Sequence, residues 1–175
     1  MATRVDINIP RSVWTEKDTR ALAQNVLASI KLRTSRGIDA NGEPFQEYST
    51  KPIYIQKQGA KLKPKGGRPS KSGKSVYYEG GYQEYKEQSR RRQQQPTTKS
   101  GAGQSAEVDL VLSGALMNNF VVLEATATSF KLGLTKHVQH YGYEVNEYRP
   151  FIGLTDEEVD ILVEAIEHDI KGKLK

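Results

Sequence analysis

The chain has 175 residues, of which 36 % are hydrophobic, below the roughly 45–50 % of ordinary globular chains, a figure that also counts glycine. Its net charge of +5 is unevenly spread: residues 51–106 hold 13 of the 26 lysines and arginines and only three acids, a net of +10, which leaves −5 on the rest. The absence of cysteine excludes disulfides, thiolate metal sites, iron–sulfur clusters and a thiol nucleophile, and with neither a secretory leader nor an apolar run near the roughly 20 residues of a membrane span, a protein made in the cytoplasm and without membrane contact is expected.

Val5, Ile7 and Ile9 alternate with Asp6 and Asn8, which predicts a short strand or extended arm over residues 4–9, ended by Pro10. A helix follows from Ser12 or Thr15, either of which can cap it. Glu16 and Asp18 suit its positive first turn. Leu22, Val26 and Ile30, flanked by Ala23 and Leu27, form one apolar stripe to about Leu32. Arg33 and Arg36 fall at its negative end, and Gly37 is a stop. Asn41-Gly42 predicts a turn because both residues tolerate positive φ. Pro44 excludes a central strand, and Phe45 and Tyr48 are expected to pin the loop to the body.

Residues 51–106 read differently. They are rich in Lys, Gly, Ser, Gln and Pro and poor in aliphatics, with linker-like stretches at 66–73 and 93–104. Such a stretch is expected to bury too little apolar surface to offset its ordering entropy, and so to act as a basic low-complexity insertion ordered only by a partner. Its lysines and arginines could neutralise phosphates, and its tyrosines could stack on exposed bases. Candidate contacts to DNA or to an acidic partner are Lys61, Lys63, Lys65, Arg68, Lys71, Lys74, Tyr77, Tyr78, Arg90, Arg91 and Arg92. A solvated linker and an arm docked on an acidic protein are the competing readings.

Beyond it, Val108, Leu110 and Leu112 alternate as in a strand, and Ser113-Gly114 breaks the pattern before a short helix at about 115–119. Two strands follow, over Phe120 to Ala127 and through Phe130, Leu132 and Leu134, joined by a tight turn at Thr128-Ser129. His137 to Gly142 reads as a loop or helical turn. The last helix is clearest. Thr155 and Glu158 form a capping box, and Leu154 and Val159 a hydrophobic staple. Val159, Leu162, Val163, Ile166 and Ile170 make its stripe, with Lys171, Lys173 and Lys175 at its negative end. The expected fold is α+β: a small antiparallel sheet packed against two amphipathic helices, in one domain interrupted by the basic insertion.

No enzymatic constellation emerges. Ser72-Gly73-Lys74-Ser75 has Arg68 where a phosphate-binding loop needs glycine. Asp39-Ala40-Asn41-Gly42 fails the calcium-loop pattern at both ends. His137 and His140 lack a nearby carboxylate set for a metal, and no serine lies in a nucleophile-elbow context. No catalytic residue, cofactor or metal is expected.

Three segments resemble the phage virion morphogenesis (tail completion) family, the group that includes the G protein of phage Mu. The first is Arg33 to Tyr48, a helix end leading into a stretch similar to an Asp-x-x-Gly-x-x-Phe pattern followed by Tyr, with Gly42 and Phe45 in place. The second is Leu112-Ser113-Gly114-Ala115-Leu116, similar to Leu-Thr-Gly-x-Leu. The third is His137 to Gly142, including His140, followed by Arg149-Pro150-Phe151-Ile152-Gly153-Leu154-Thr155, similar to Arg-Pro-Phe-Leu-Gly-Leu-Ser. The stretch 143–148 and the long basic insertion depart from the pattern. The resemblance implies a non-enzymatic virion subunit at the head–tail neck or head-proximal tail end, a tail completion or terminator protein. Its implied partners are copies of itself in a ring, commonly hexameric, neighbouring connector and tail-tube proteins, and packaged DNA. The motif residues Gly42, Phe45, Gly114, His140, Gly142, Arg149, Pro150, Phe151 and Gly153 are expected to build the fold, while surrounding surfaces act.

Overall fold

Thr15 closes a capping box with Asp18: each side chain accepts from the other residue's backbone N–H. The helix it starts, α1 (Glu16–Ser35), buries Leu22, Ala23, Val26, Leu27 and Ile30, the expected stripe. Trp14, just before the cap, is buried and donates its indole N–H to Thr19 Oγ1 at 2.8 Å. The computed structural model describes residues 3–6, 13–60, 62–90, 108–110 and 114–174. It divides the chain into two compact units, residues 1–45 with 115–175, and residues 46–114.

In the first unit, β1 (Thr3–Asp6), β5 (Phe120–Ala125) and β6 (Ser129–Leu134) form an antiparallel sheet in the order β1-β6-β5. Ile7, Ile9, Pro10 and Ser12 lie outside the described residues. Thr126 closes the β5–β6 turn, accepting from the backbone of Thr128 and Ser129. The sheet carries α1 on one face. Phe120, Phe130, Leu132 and Leu134 are buried there. The short α3 (Ala115–Asn118) precedes β5. Residues 137–142, expected as a loop or a helical turn, and the polar stretch 143–148 together form one helix, α4 (Lys136–Tyr148). Their apolar residues are too few to announce a stripe, and only Val138 and Gly142 are buried. The final helix, α5 (Asp156–Lys173), has the expected Thr155–Glu158 capping box and lies along α1. Its stripe is only partly covered: Leu162 is buried, but Val159 and Val163 are 40 % and 49 % exposed, and Ile161, off the stripe, is 58 % exposed.

The second unit corrects the expectation of a low-complexity insertion. Here β2 (Ile53–Gln56), β3 (Arg68–Pro69) and β4 (Ser75–Tyr78) form a second antiparallel sheet in the order β2-β4-β3, and α2 (Gly81–Arg90) packs on it. Tyrosine supplies the core that aliphatic residues do not. Leu62, Val76, Tyr78 and Tyr85 are buried together, with Ile53, Ile55 and Tyr82 against them. The rings run Tyr48–Tyr82–Tyr85–Tyr78, with centroids 5.2, 5.8 and 5.4 Å apart. Each buried hydroxyl has an acceptor: Tyr78 donates to Lys65 O and Tyr85 to Leu62 O. Gly81 opens α2 at φ +68°, where a side chain would meet the Ser49 and Lys51 carbonyls. The strand expected over 108–112 is absent from its described part: Leu110 has φ +52°, outside strand geometry, and Leu112 lies outside the described residues. Among the described residues no helix is long and apolar enough to cross a membrane.

Candidate functional site

Two of the motif residues, Phe151 and Gly153, meet Arg33. Its guanidinium is buried, pairs with Glu158, and donates to Phe151 O at 3.0 Å and Gly153 O at 3.1 Å. Burial pulls its pKa below the ordinary value, while Glu158 and Asp39 oppose that shift. One side chain thereby ties the end of α1 to the turn entering α5. Asp39 orders the neighbouring turn, accepting from the backbone of Asn41 and Glu43. Those bonds occupy the carboxylate within the loop, and Gly42 takes φ +86°. Ala40 N–H donates to Pro150 O at 2.8 Å, and Gly153 lies where a Cβ would sit 3.1 Å from Ala40 Cβ. Asn146 Oδ1 accepts from Phe151 and Ile152, fixing the exit from α4. Phe45 and Phe151 are buried, and Phe151 meets Phe120 edge-on at 5.7 Å.

Gly142 has a separate reason. A Cβ there would lie 2.3 Å from Leu134 Cδ1 and 2.9 Å from Leu116 Cδ1, so glycine lets α4 approach β6 and α3. Gly114 precedes α3 with φ +78°. Arg149 ends α4, its N–H donating to Val145 O. His140 is exposed beside Glu144, and His137 reaches Thr135 Oγ1 at 3.3 Å. No group of three His, Cys, Asp or Glu fit to hold a metal occurs among the described residues.

The second unit separates the predicted contact residues. Tyr78, expected as a contact, is buried in the core, because β4 alternates and Val76 and Tyr78 share its inner face. Tyr77 points to the outer face. Its register partners are Tyr54 on β2 and Arg68 on β3, so Tyr54, Tyr77 and Arg68 form one row across three strands. The Tyr54 and Tyr77 rings lie 5.0 Å apart at 47°, and Tyr54 is 64 % exposed. Arg68 pairs with Glu79 at 3.3 Å, both well exposed. Lys63, Lys71 and Lys74 are exposed and Lys65 is half-buried. The Ser72-Gly73-Lys74-Ser75 segment is the β3–β4 hairpin turn: Gly73 N–H donates to Ser70 O, and Ser70 N–H to Ser75 O. Lys61, Arg91, Arg92 and the Arg90 side chain lie outside the described residues.

Sequence reasoning missed two residues here. Tyr54 sits alone between isoleucines, and only the register places it beside Tyr77. Lys86 is wholly buried, paired with Asp109, with its Nζ 3.0 Å from Tyr48 Oη and 4.4 Å from that ring's centre. The signal was the helical spacing of Tyr82, Tyr85, Lys86 and Ser89, which puts Lys86 on the inner face. No family model, curated protein or solved structure matches the chain.

Proposed function

We propose that the chain is a non-enzymatic structural subunit of a tailed-phage virion, placed at the head–tail neck or the head-proximal tail end, where it joins or closes the tail as an oligomeric ring. The observation that carries this reading is the convergence of its family-like segments. Ala40 N–H of the first segment donates to Pro150 O of the third, more than a hundred residues on, and Arg33 donates to Phe151 O and Gly153 O. Their patterns thus have one physical cause, a shared hub, and Gly142 adds a second close approach.

Val159 and Val163, one turn apart on α5 and both exposed, fit the same reading. Apolar residues left exposed on one helix suit a contact between subunits. In a ring such contacts are head-to-tail and close by rotation.

Antibody labelling of particles from a lysate that produces the protein tests this. Label at the junction of head and tail is expected, with closed rings of the purified chain in negative stain. Particles that contain none of the protein overturn the reading.

A further inference from the structure

We propose that the open face of the second unit's sheet binds single-stranded nucleic acid, with Tyr54 and Tyr77 as the base-stacking platform. This site is independent of the virion reading and of the motif hub. The inner face of the sheet is closed by α2 and the tyrosine core. The outer face carries Tyr54 and Tyr77 side by side, with Arg68 completing the row. Beyond its cross-strand contact with Tyr77, Tyr54 packs on nothing in the core. It is 64 % exposed, and its ring is spent on no core.

The surroundings select the ligand. Lys57 and Lys74 are partners at the end of β2 and β4, Lys57 N–H donating to Lys74 O at 2.9 Å; their exposed side chains are in phase with Val76 and one step out of phase with Tyr54 and Tyr77. Lys71 follows on the hairpin turn. Arg68 is therefore the cation in the row with the two rings, paired to the exposed Glu79, and Lys57, Lys71 and Lys74 are exposed at the adjoining end of the sheet. Cations attract the phosphates of either a duplex or a single strand. Aromatic faces on a sheet add affinity only for unstacked bases, since a duplex keeps its base faces covered. An acidic protein would use the charges but gain little from the paired rings. The combination favours a single strand, read without strict sequence preference because every base has a π-face.

The test is fluorescence anisotropy of the full chain with labelled oligothymidine, its duplex with oligoadenosine, and polyglutamate as competitor. Tighter binding of the single strand is expected. Tyr54→Ala and Tyr77→Ala should each weaken it about tenfold, while Tyr54→Phe keeps it. Arg68→Ala should weaken single strand and duplex alike and reduce the salt slope. Tyr54 is exposed, so its alanine variant keeps the fold, and circular dichroism verifies that. Equal binding of duplex and single strand overturns the proposal. So does single-strand binding unchanged in both tyrosine variants. Displacement by polyglutamate that weakens with the tyrosine variants assigns the face to an acidic protein instead.

Discussion

The two units solve the problem of a core with different residues. The first holds all four phenylalanines and the single tryptophan, and it buries a conventional aliphatic and aromatic interior. The second holds six of the nine tyrosines, with neither phenylalanine nor tryptophan, and few aliphatics. A phenylalanine needs only burial. A tyrosine needs burial and an acceptor for its hydroxyl, which Lys65 O and Leu62 O provide. Among the described residues each unit also has a buried ion pair, Arg33–Glu158 in the first and Lys86–Asp109 in the second. The comparison teaches that low aliphatic content does not by itself mean a linker, when aromatic rings stack and their hydroxyls are satisfied.

Breaking the two ion pairs sharpens the contrast most. Arg33→Met should destabilise the first unit by about 3–5 kcal/mol, because Glu158 and two backbone carbonyls lose their donor in a buried site. Urea unfolding followed by Trp14 fluorescence reads this unit alone, as the only tryptophan lies in it. Lys86→Met should cost the second unit somewhat less, about 3 kcal/mol, by removing the buried cation that pairs with Asp109. Tyrosine-region circular dichroism reads it. Lys86→Met combined with Asp109→Leu should recover much of that loss. A double variant as unstable as the single one would show that the pair does not hold residues 108–110 in place.

How far the sequence made these units legible follows from what each relies on. In the first, Leu22-Val26-Ile30 and the two Thr-capped helix starts obey simple periodicity, and the structure repeats them nearly residue for residue. The α4 helix did not announce itself, since its burial rests on Val138 and on a glycine, which carries no hydropathy signal. In the second unit the strands have four, two and four residues, too short for alternation to stand out from noise. Its core residues were the same tyrosines that suggest base stacking, and only strand register divides Tyr78, inside, from Tyr77, outside. The Tyr54–Tyr77–Arg68 row was invisible for that reason, because cross-strand partners are a property of pairing and not of local sequence.

High pH should separate the units further. Burial, with the neighbouring Tyr82 and Tyr78, pushes the Tyr85 hydroxyl up from 10.0 to about 12, and burial likewise raises Tyr78. A raised phenol pKa means that the fold favours the neutral form. Its contribution, on the order of 2 kcal/mol, is whole below pH 10 and is lost between about pH 10 and 12. The second unit should therefore unfold within that window, with tyrosinate absorbance appearing in one cooperative step. Tyr85→Phe should remove the steepest part of that step. Gradual tyrosinate formation with no loss of structure would refute a tyrosine-dependent core.

Low pH should act on the first unit, more weakly. Asp18 accepts from Thr15 and pairs with Lys173 at 2.6 Å, and the Lys173 ammonium, with the cap bonds, lowers its carboxyl from 3.8 to about 2. The folded pKa lies below the unfolded one, so this contribution is whole above about pH 4 and is lost as pH falls from 4 toward 2. Lys173 is 37 % exposed, so water screens the pair and the effect is about 1 kcal/mol or less. Lys173→Met isolates it. The variant should be slightly less stable than the parent at neutral pH and equal to it near pH 2, as read by Trp14, whose ring lies 5.0 Å from the Lys173 ammonium. A deficit that persists at pH 2 would mean that Lys173 acts through its contact with the Trp14 ring and not through Asp18, and the tie from the end of α5 to the start of α1 would then be one of packing, as in the rest of that unit.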